Sequence, residues 1–94
     1  MPGYWIVKGS EMRDQAAFDE YAKRWAPVAE RYGAKMLNAG GRLDAREGAW
    51  GRVVIVEFPS FEQAVACYED ADYQASLPFA RQAYDRELAI VEGT

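Results

Sequence analysis

One stretch of the chain constrains its fold more than any other. In Arg52-Val53-Val54-Ile55-Val56-Glu57-Phe58 a strand is indicated by β-branched and aromatic residues, and Pro59 ends it. Successive side chains of a strand point to opposite faces, so Val54, Val56 and Phe58 share one side and Val53, Ile55 and Glu57 the other. An antiparallel sheet with helices on one face and water on the other alternates apolar with polar; here both faces are mainly apolar. The same holds at the start of the chain, where Trp5 and Val7 oppose Tyr4 and Ile6, and near its end, where Leu88 and Ile90 oppose Ala89 and Val91. Each sheet face therefore needs a cover.

The other elements follow from local signals. Asp14 is a candidate N-cap for a helix over Gln15 to Tyr32, whose apolar stripe is Phe18, Tyr21, Ala22, Trp25, Ala29 and Tyr32. Pro27 lies within it and predicts a kink or a split near Trp25 and Ala26, and Gly33 predicts its stop. A second strand is expected from Lys35 to about Glu47, bent by a bulge at Gly40-Gly41, with Gly48-Ala49-Trp50-Gly51 turning into the third. Ser60-Phe61-Glu62-Gln63 fits a capping box and opens a helix with Ala64, Val65 and Tyr68 on its buried stripe. Asp70-Ala71-Asp72 breaks it, a further segment from Tyr73 to about Tyr84 is limited or bent by Pro78, and Leu88 to Val91 forms the last strand. The order strand, helix, strand, strand, helix, strand is the ferredoxin-like βαββαβ pattern: one α+β domain over residues 1–94, an antiparallel sheet with helices on one face.

Helices can cover only one side of such a sheet, and the second apolar side exceeds what a monomer usually exposes. A second copy meeting the first sheet to sheet is the economical cover, giving a homodimer built as a dimeric α+β barrel. The alternatives are a C-terminal segment folded over that face and strands that are merely hydrophobic.

The 94 residues hold one domain, and the charge of 11 − 15 = −4 with scattered basic residues predicts no nucleic-acid partner. The absence of histidine removes Ser-His-Asp and Cys-His nucleophile systems, two-histidine zinc sites and imidazole haem ligation. No cofactor and no metal are expected; Asp70-x-Asp72 reads as caps rather than as a metal loop. The single Cys67 makes no internal disulfide and reads as a buried small hydrophobe, so a reducing cytoplasm is the expected compartment. No apolar run approaches the ~20 residues needed to cross a bilayer, and Met1 to Lys8 lacks the form of a secretion signal, so no membrane association is expected.

An ordered set of pieces carries a family resemblance: Tyr4-Trp5, Pro27, Gly40-Gly41-Arg42, Glu47-Gly48-x-Trp50, Arg52 to Ser60, Ala66-Cys67-Tyr68, Asp72-Tyr73-Gln74 and Ile90-Val91-Glu92-Gly93. Together they span nearly the whole chain, which resembles the bacterial domain of unknown function 1330 family. The resemblance implies a ferredoxin-like subunit of the dimeric α+β barrel superfamily and no assigned reaction. Relatives commonly carry Arg immediately before the Gly-Gly pair; here that residue is Ala39, so an anion site leaning on that arginine is weaker or absent.

The candidate functional residues each have two readings. Glu57, if enclosed, would have a raised pKa suited to proton transfer; otherwise it pairs with Lys8 or an arginine at the subunit boundary. Tyr68 and Tyr73, with Arg81, either hold a small acidic or phenolic ligand in a cleft between helices and sheet or are core tyrosines with one wet hydroxyl. Gly40-Gly41-Arg42 either presents backbone N–H groups and a guanidinium to an anion or is a bend. Asn38 is a polar side chain facing inward, and Arg52 reaches Glu47 or Asp44 across the hairpin or orients a ligand. Two functions result: a binding protein for a small acidic or aromatic metabolite, or a cofactor-independent isomerase or monooxygenase-like enzyme with Glu57 as base and Arg52, Tyr68 or Arg81 as orienting groups. A closed, part-polar cavity of at least ~300 Å³ containing Glu57 would favour the enzyme.

Overall fold

The computed structural model describes all residues from Met1 to Thr94. The chain runs β1 (Gly3–Gly9), α1 (Gln15–Arg31), β2 (Lys35–Ala39), β3 (Arg52–Phe58), α2 (Phe61–Glu69), α3 (Ala71–Ala83) and β4 (Arg86–Glu92). The strands form one antiparallel sheet in the order β2-β3-β1-β4, the ferredoxin-like arrangement expected from the sequence, with the second helical region split into α2 and α3.

Local chemistry sets the element ends. Asp14 accepts the Ala17 N–H at 3.0 Å and opens α1; Ser60 accepts the Gln63 N–H at 3.1 Å and opens α2. Asp70 closes α2 and accepts the Asp72 N–H at 2.8 Å, so one residue serves both as stop and as start. Neither proline ends its helix: α1 continues past Pro27 and α3 past Pro78. Both prolines are exposed, as are Lys23 and Gln74 one turn earlier, so the carbonyls that lose a partner face water.

The second strand differs from expectation. It ends at Ala39 instead of reaching Glu47, because Gly40 turns to φ +80° and Asn38 Oδ1 accepts both the Gly40 and Gly41 N–H groups, at 2.8 and 3.3 Å. The bulge lies between Met36 and Asn38 rather than at the glycines. It turns Met36 and Ala39 to the helix side, opposite Val56 and Val54, while Asn38 pairs with Ile55 on the other side. The last strand is longer than Leu88 to Val91, since it pairs with β1 along its full length from Gly3↔Glu92 to Gly9↔Arg86.

The core lies between the sheet and the helices. Trp5 is its centre: its ring stacks on Trp25 at 5.2 Å, meets Tyr73 at 4.9 Å and Phe58 at 5.0 Å, and its indole N–H donates to the Ala64 carbonyl at 2.9 Å. From the helix-facing positions of the two central strands, Trp5, Val7, Val56 and Phe58 belong to this core, and Val54 packs against it. The opposite face carries Tyr4, Ile6, Lys8, Val53, Ile55, Glu57, Glu87, Ala89 and Val91, and no helix covers it. Trp50 folds onto its Lys8 end, with the ammonium 4.3 Å from the ring centre.

Candidate functional site

Strand register places two arginines in one row. Arg52 of β3 and Arg86 of β4 both pair with Gly9 of the intervening β1, and both share the helix-facing parity of their strands with Val54 and Leu88. Gly9 must be glycine here: a Cβ would lie 2.4 Å from the Tyr84 ring, which occupies the space between the two arginine stems. Gly40 performs a similar service for Arg52. A Cβ there would meet its guanidinium at 2.5 Å, and the residue's positive φ independently favours glycine.

These arginines line a cavity of about 150 Å³ between α1 and the sheet. Its walls are Trp5, Phe18, Tyr21, Trp25, Val54 and Val56, and Met36 and Ala39, both exposed, complete it on the β2 side. Arg52 lies over the rings of Phe18 (5.0 Å) and Tyr84 (5.8 Å), and Arg86 over Tyr21 (5.3 Å). Arg86 Nη2 also donates to the Tyr73 hydroxyl at 3.3 Å, which is 2.9 Å from the Tyr21 hydroxyl.

No carboxylate answers these charges. The ion pairs of the chain join Arg13 to Asp85, Arg24 to Glu20, Arg31 to Asp70 and Asp72, and Arg46 to Asp44; Arg52 and Arg86 take no part. Arg52 Nε and Arg86 Nη1 are shielded from solvent without any hydrogen-bond partner. Buried donors are ordinarily satisfied, and two arginines of one cavity wall that each keep an orphaned nitrogen and no carboxylate partner leave an excess of positive charge that an anion would answer. Burial works against the Arg86 charge, but the adjacent Tyr21, Tyr73 and Tyr84 raise its pKa overall, and it is cationic at any physiological pH.

The residues singled out from the sequence are distributed around this cavity unequally. Arg52 lines it, reaching neither Glu47 nor Asp44. Tyr73 stands behind it and touches Arg86. Tyr68 and Arg81 meet Arg86 in a separate hollow of about 90 Å³ with Leu77 and Leu88. Asn38 is occupied in closing the turn, which also consumes the Gly40 and Gly41 N–H groups, so the guanidinium at the glycine pair belongs to Arg52, not to the exposed Arg42. Ala39 supplies only a methyl to the wall.

Glu57 lies on the opposite face of the sheet from Arg52. It accepts a hydrogen bond from the Tyr4 hydroxyl at 3.2 Å and borders an open groove with Lys35 and Pro59. One subunit therefore does not bring a Glu57 base together with Arg52, Tyr68 or Arg81 as orienting groups: the sheet separates them. Tyr21, Tyr84 and Arg86 were not singled out from the sequence. Arg86 had a signal in its spacing from Leu88 and Ile90, which puts it on their face once the strand is extended two residues. The widest concavity, an open groove at Lys8, Ser10 and Trp50, carries mixed charges and no orphaned donor of its own beyond Arg86.

The buried Cys67 thiol has its pKa pushed up to about 12 by desolvation, consistent with a core residue.

Fold and cavity together define a ferredoxin-like α+β protein with helices on one sheet face and an arginine-bearing pocket beneath them. The family model described as Domain of unknown function (DUF1330) matches residues 2–94, and the chain belongs to that family. It is similar to a protein of unknown function from Rhodopseudomonas palustris, with 22% identity and a TM-score of 0.68 over 99% of this chain and 82% of that one. An ethyl tert-butyl ether (EthD) family protein from Bacillus halodurans shares 20% identity and a TM-score of 0.61, with all of both chains covered. A protein of unknown function from Bacteroides fragilis, described as dimeric and ferredoxin-like, shares 11% identity and a TM-score of 0.59 over 98% and 96%. At these identities the likeness concerns the fold. No curated protein matches the chain.

Proposed function

We propose that this chain binds a small organic acid with an apolar body in the cavity beneath α1, and that it does so as a homodimer paired through the open face of its sheet. The observation that carries the binding reading is that Arg52 and Arg86, each with a partnerless nitrogen and no ion pair, line one cavity with no carboxylate. An anionic ligand offsets two like charges at once, while the aromatic walls take up its apolar part. The pairing is supported by the apolar row Ile6, Ile55, Val53, Ala89 and Val91, of which Val91 is 47% exposed in the single chain, and by the dimeric description of the Bacteroides fragilis protein. Glu57, hydrogen-bonded to Tyr4 at one end of that face, then belongs to the rim of the interface.

Thermal denaturation with increasing benzoate tests the binding. At a hundredfold excess over Kd the gain is about 2.7 kcal/mol. Stabilisation is expected in the wild-type chain and equally in Glu57→Gln, and is expected to vanish in Arg52→Met. No stabilisation of the wild-type chain at millimolar benzoate refutes the reading, and a loss confined to Glu57→Gln moves the site to the other face.

A further inference from the structure

Resting on the acid-binding reading above, we propose that Tyr21 is a directed hydroxyl donor to the ligand, aimed by a one-way hydrogen-bond chain from Arg86 through Tyr73, and that this restricts the ligand to single-ring or similarly compact carboxylates.

The direction follows from donor counting. A guanidinium has no acceptor, so the contact between Arg86 Nη2 and the Tyr73 oxygen can run only from arginine to tyrosine. Tyr73 is completely buried, and its hydroxyl has two neighbours, Arg86 and Tyr21. If Tyr21 donated to Tyr73, the Tyr73 proton would have no acceptor in a site closed to water, a costly arrangement. Tyr73 therefore donates to Tyr21. The Tyr21 oxygen is then an acceptor within the chain, and its own proton is left to point elsewhere. Tyr21 lines the cavity and Tyr73 does not, so the free end of the chain is on the ligand side. Burial pushes the pKa of both phenols up, and both keep their protons at neutral pH.

The residues lining the cavity thus bring two guanidinium groups, from Arg52 and Arg86, together with the Tyr21 hydroxyl. Its lining residues include no Asp, Glu, Asn, Gln, Ser or Thr, and beside Tyr21 only Tyr84 brings a side-chain oxygen. A carboxylate is an acceptor at every lone pair and suits this set, whereas an amide or alcohol brings an N–H or O–H for which the wall offers no carboxylate or amide oxygen, only a phenol. Size narrows the class further. A cavity of about 150 Å³ is the size that admits a benzene ring, so one ring with one carboxylate fills this one.

Calorimetric titration of the full chain with benzoate and benzamide, in wild type, Tyr21→Phe, Tyr73→Phe and the double variant, tests the chain of donors, with near-ultraviolet circular dichroism to check packing. Expected results are benzoate at least roughly tenfold tighter than benzamide and a loss of about tenfold in Tyr21→Phe. A comparable loss is expected in Tyr73→Phe, although that ring is not part of the wall, with no further loss in the double variant because the two act as one unit. If Tyr21→Phe binds benzoate within twofold of wild type while Arg52→Met does not bind, the donor chain is wrong and the acid site stands. A normal Tyr73→Phe beside a weakened Tyr21→Phe refutes the aiming role of Arg86 and Tyr73. Equal affinity of wild type for benzoate and benzamide overturns the carboxylate restriction and needs no variant to fold. Absence of benzoate binding in wild type overturns the underlying reading.

Discussion

Replacing Arg52 by methionine removes a charge from the cavity while keeping an unbranched stem on β3, and its effect on the unliganded protein follows from what Arg52 touches. Arg52 donates no hydrogen bond and joins no ion pair, and its Nε is orphaned. A shielded donor without a partner costs about 1–3 kcal/mol, which the substitution relieves. Arg52 and Arg86 are both partners of Gly9, two strand spacings apart; at ~9.6 Å and an effective dielectric constant of about 20 their repulsion is about 1.7 kcal/mol. Against this stand the two cation–π contacts with Phe18 and Tyr84, about 0.5–1 kcal/mol each. The balance favours methionine by about 1–3 kcal/mol, which for a chain of this length raises Tm by roughly 5–20 °C. Urea denaturation at a fixed protein concentration measures it, since the proposed dimerisation would make apparent stability concentration-dependent. The same variant is expected to lose benzoate binding. A variant less stable than wild type would mean that Arg52 holds the fold together and would refute the account of an unsatisfied binding cation. A variant that is more stable and still binds would detach the ligand from Arg52.

Three further predictions rest on other parts of the molecule. Gly40→Ala places a Cβ 2.5 Å from the Arg52 guanidinium at a backbone φ of +80°; a loss of about 1 kcal/mol or more in chemical denaturation is expected, with weaker benzoate binding, because Arg52 must move. Asp70→Asn tests acid stability. Hydrogen bonds from the Tyr32 hydroxyl (2.8 Å) and the Asp72 N–H, with Arg31 nearby, hold the Asp70 pKa below its ordinary value. A depressed carboxyl pKa contributes stability that is present above the unfolded pKa and lost as pH falls through the folded one, so wild type should weaken more steeply than Asp70→Asn below about pH 4 in pH-dependent melts. Ile55→Lys puts a charge at the centre of the open sheet face; sedimentation is expected to show monomers that keep the far-ultraviolet spectrum of the fold, and a dimer that persists would place the interface elsewhere.

The strand faces were legible because periodicity is a local property. Val54 and Val56 against Val53 and Ile55, Trp5 and Val7 against Tyr4 and Ile6, all fall as the alternation requires. The cavity was half legible. Arg52 stood out as a charge at the head of a hydrophobic strand, but Arg86 lay outside the expected last strand, and nothing local announces that both oppose Gly9. That row is a product of register, which three strands settle jointly. Tyr21 occupies a stripe position of α1 and reads as core, which its ring is; its hydroxyl acquires a role through Tyr73, 52 residues away. Glu57 has the parity read from the sequence, which puts it on the open face, across the sheet from the cavity of the single chain. The glycine pair had a visible purpose and a different beneficiary, since Gly40 makes room for Arg52 rather than presenting Arg42.

Parity also explains why the two interfaces of this small sheet can be tuned separately. A residue at an even position of β3 faces the helices and one at an odd position faces the open side, and the pairing of Gly3 through Gly9 with β3 holds that assignment along the strand. Slipping β3 by one residue would carry Arg52 to the open face and Glu57 under the helices, exchanging an unanswered cation in the cavity for an anion beside Trp5. The register is held by apolar residues of both parities: Val54, Val56 and Phe58 on the helix side, Val53 and Ile55 on the other. Apolar burial on the helix side, with an apolar row on the other, thus fixes the geometry, and it does so strongly enough that Arg52 and Arg86 can remain unsatisfied without reorganising the sheet. Arg52→Met and Ile55→Lys should accordingly be independent in effect: the first changes ligand binding in a protein that still dimerises, the second changes assembly in a subunit whose cavity is intact.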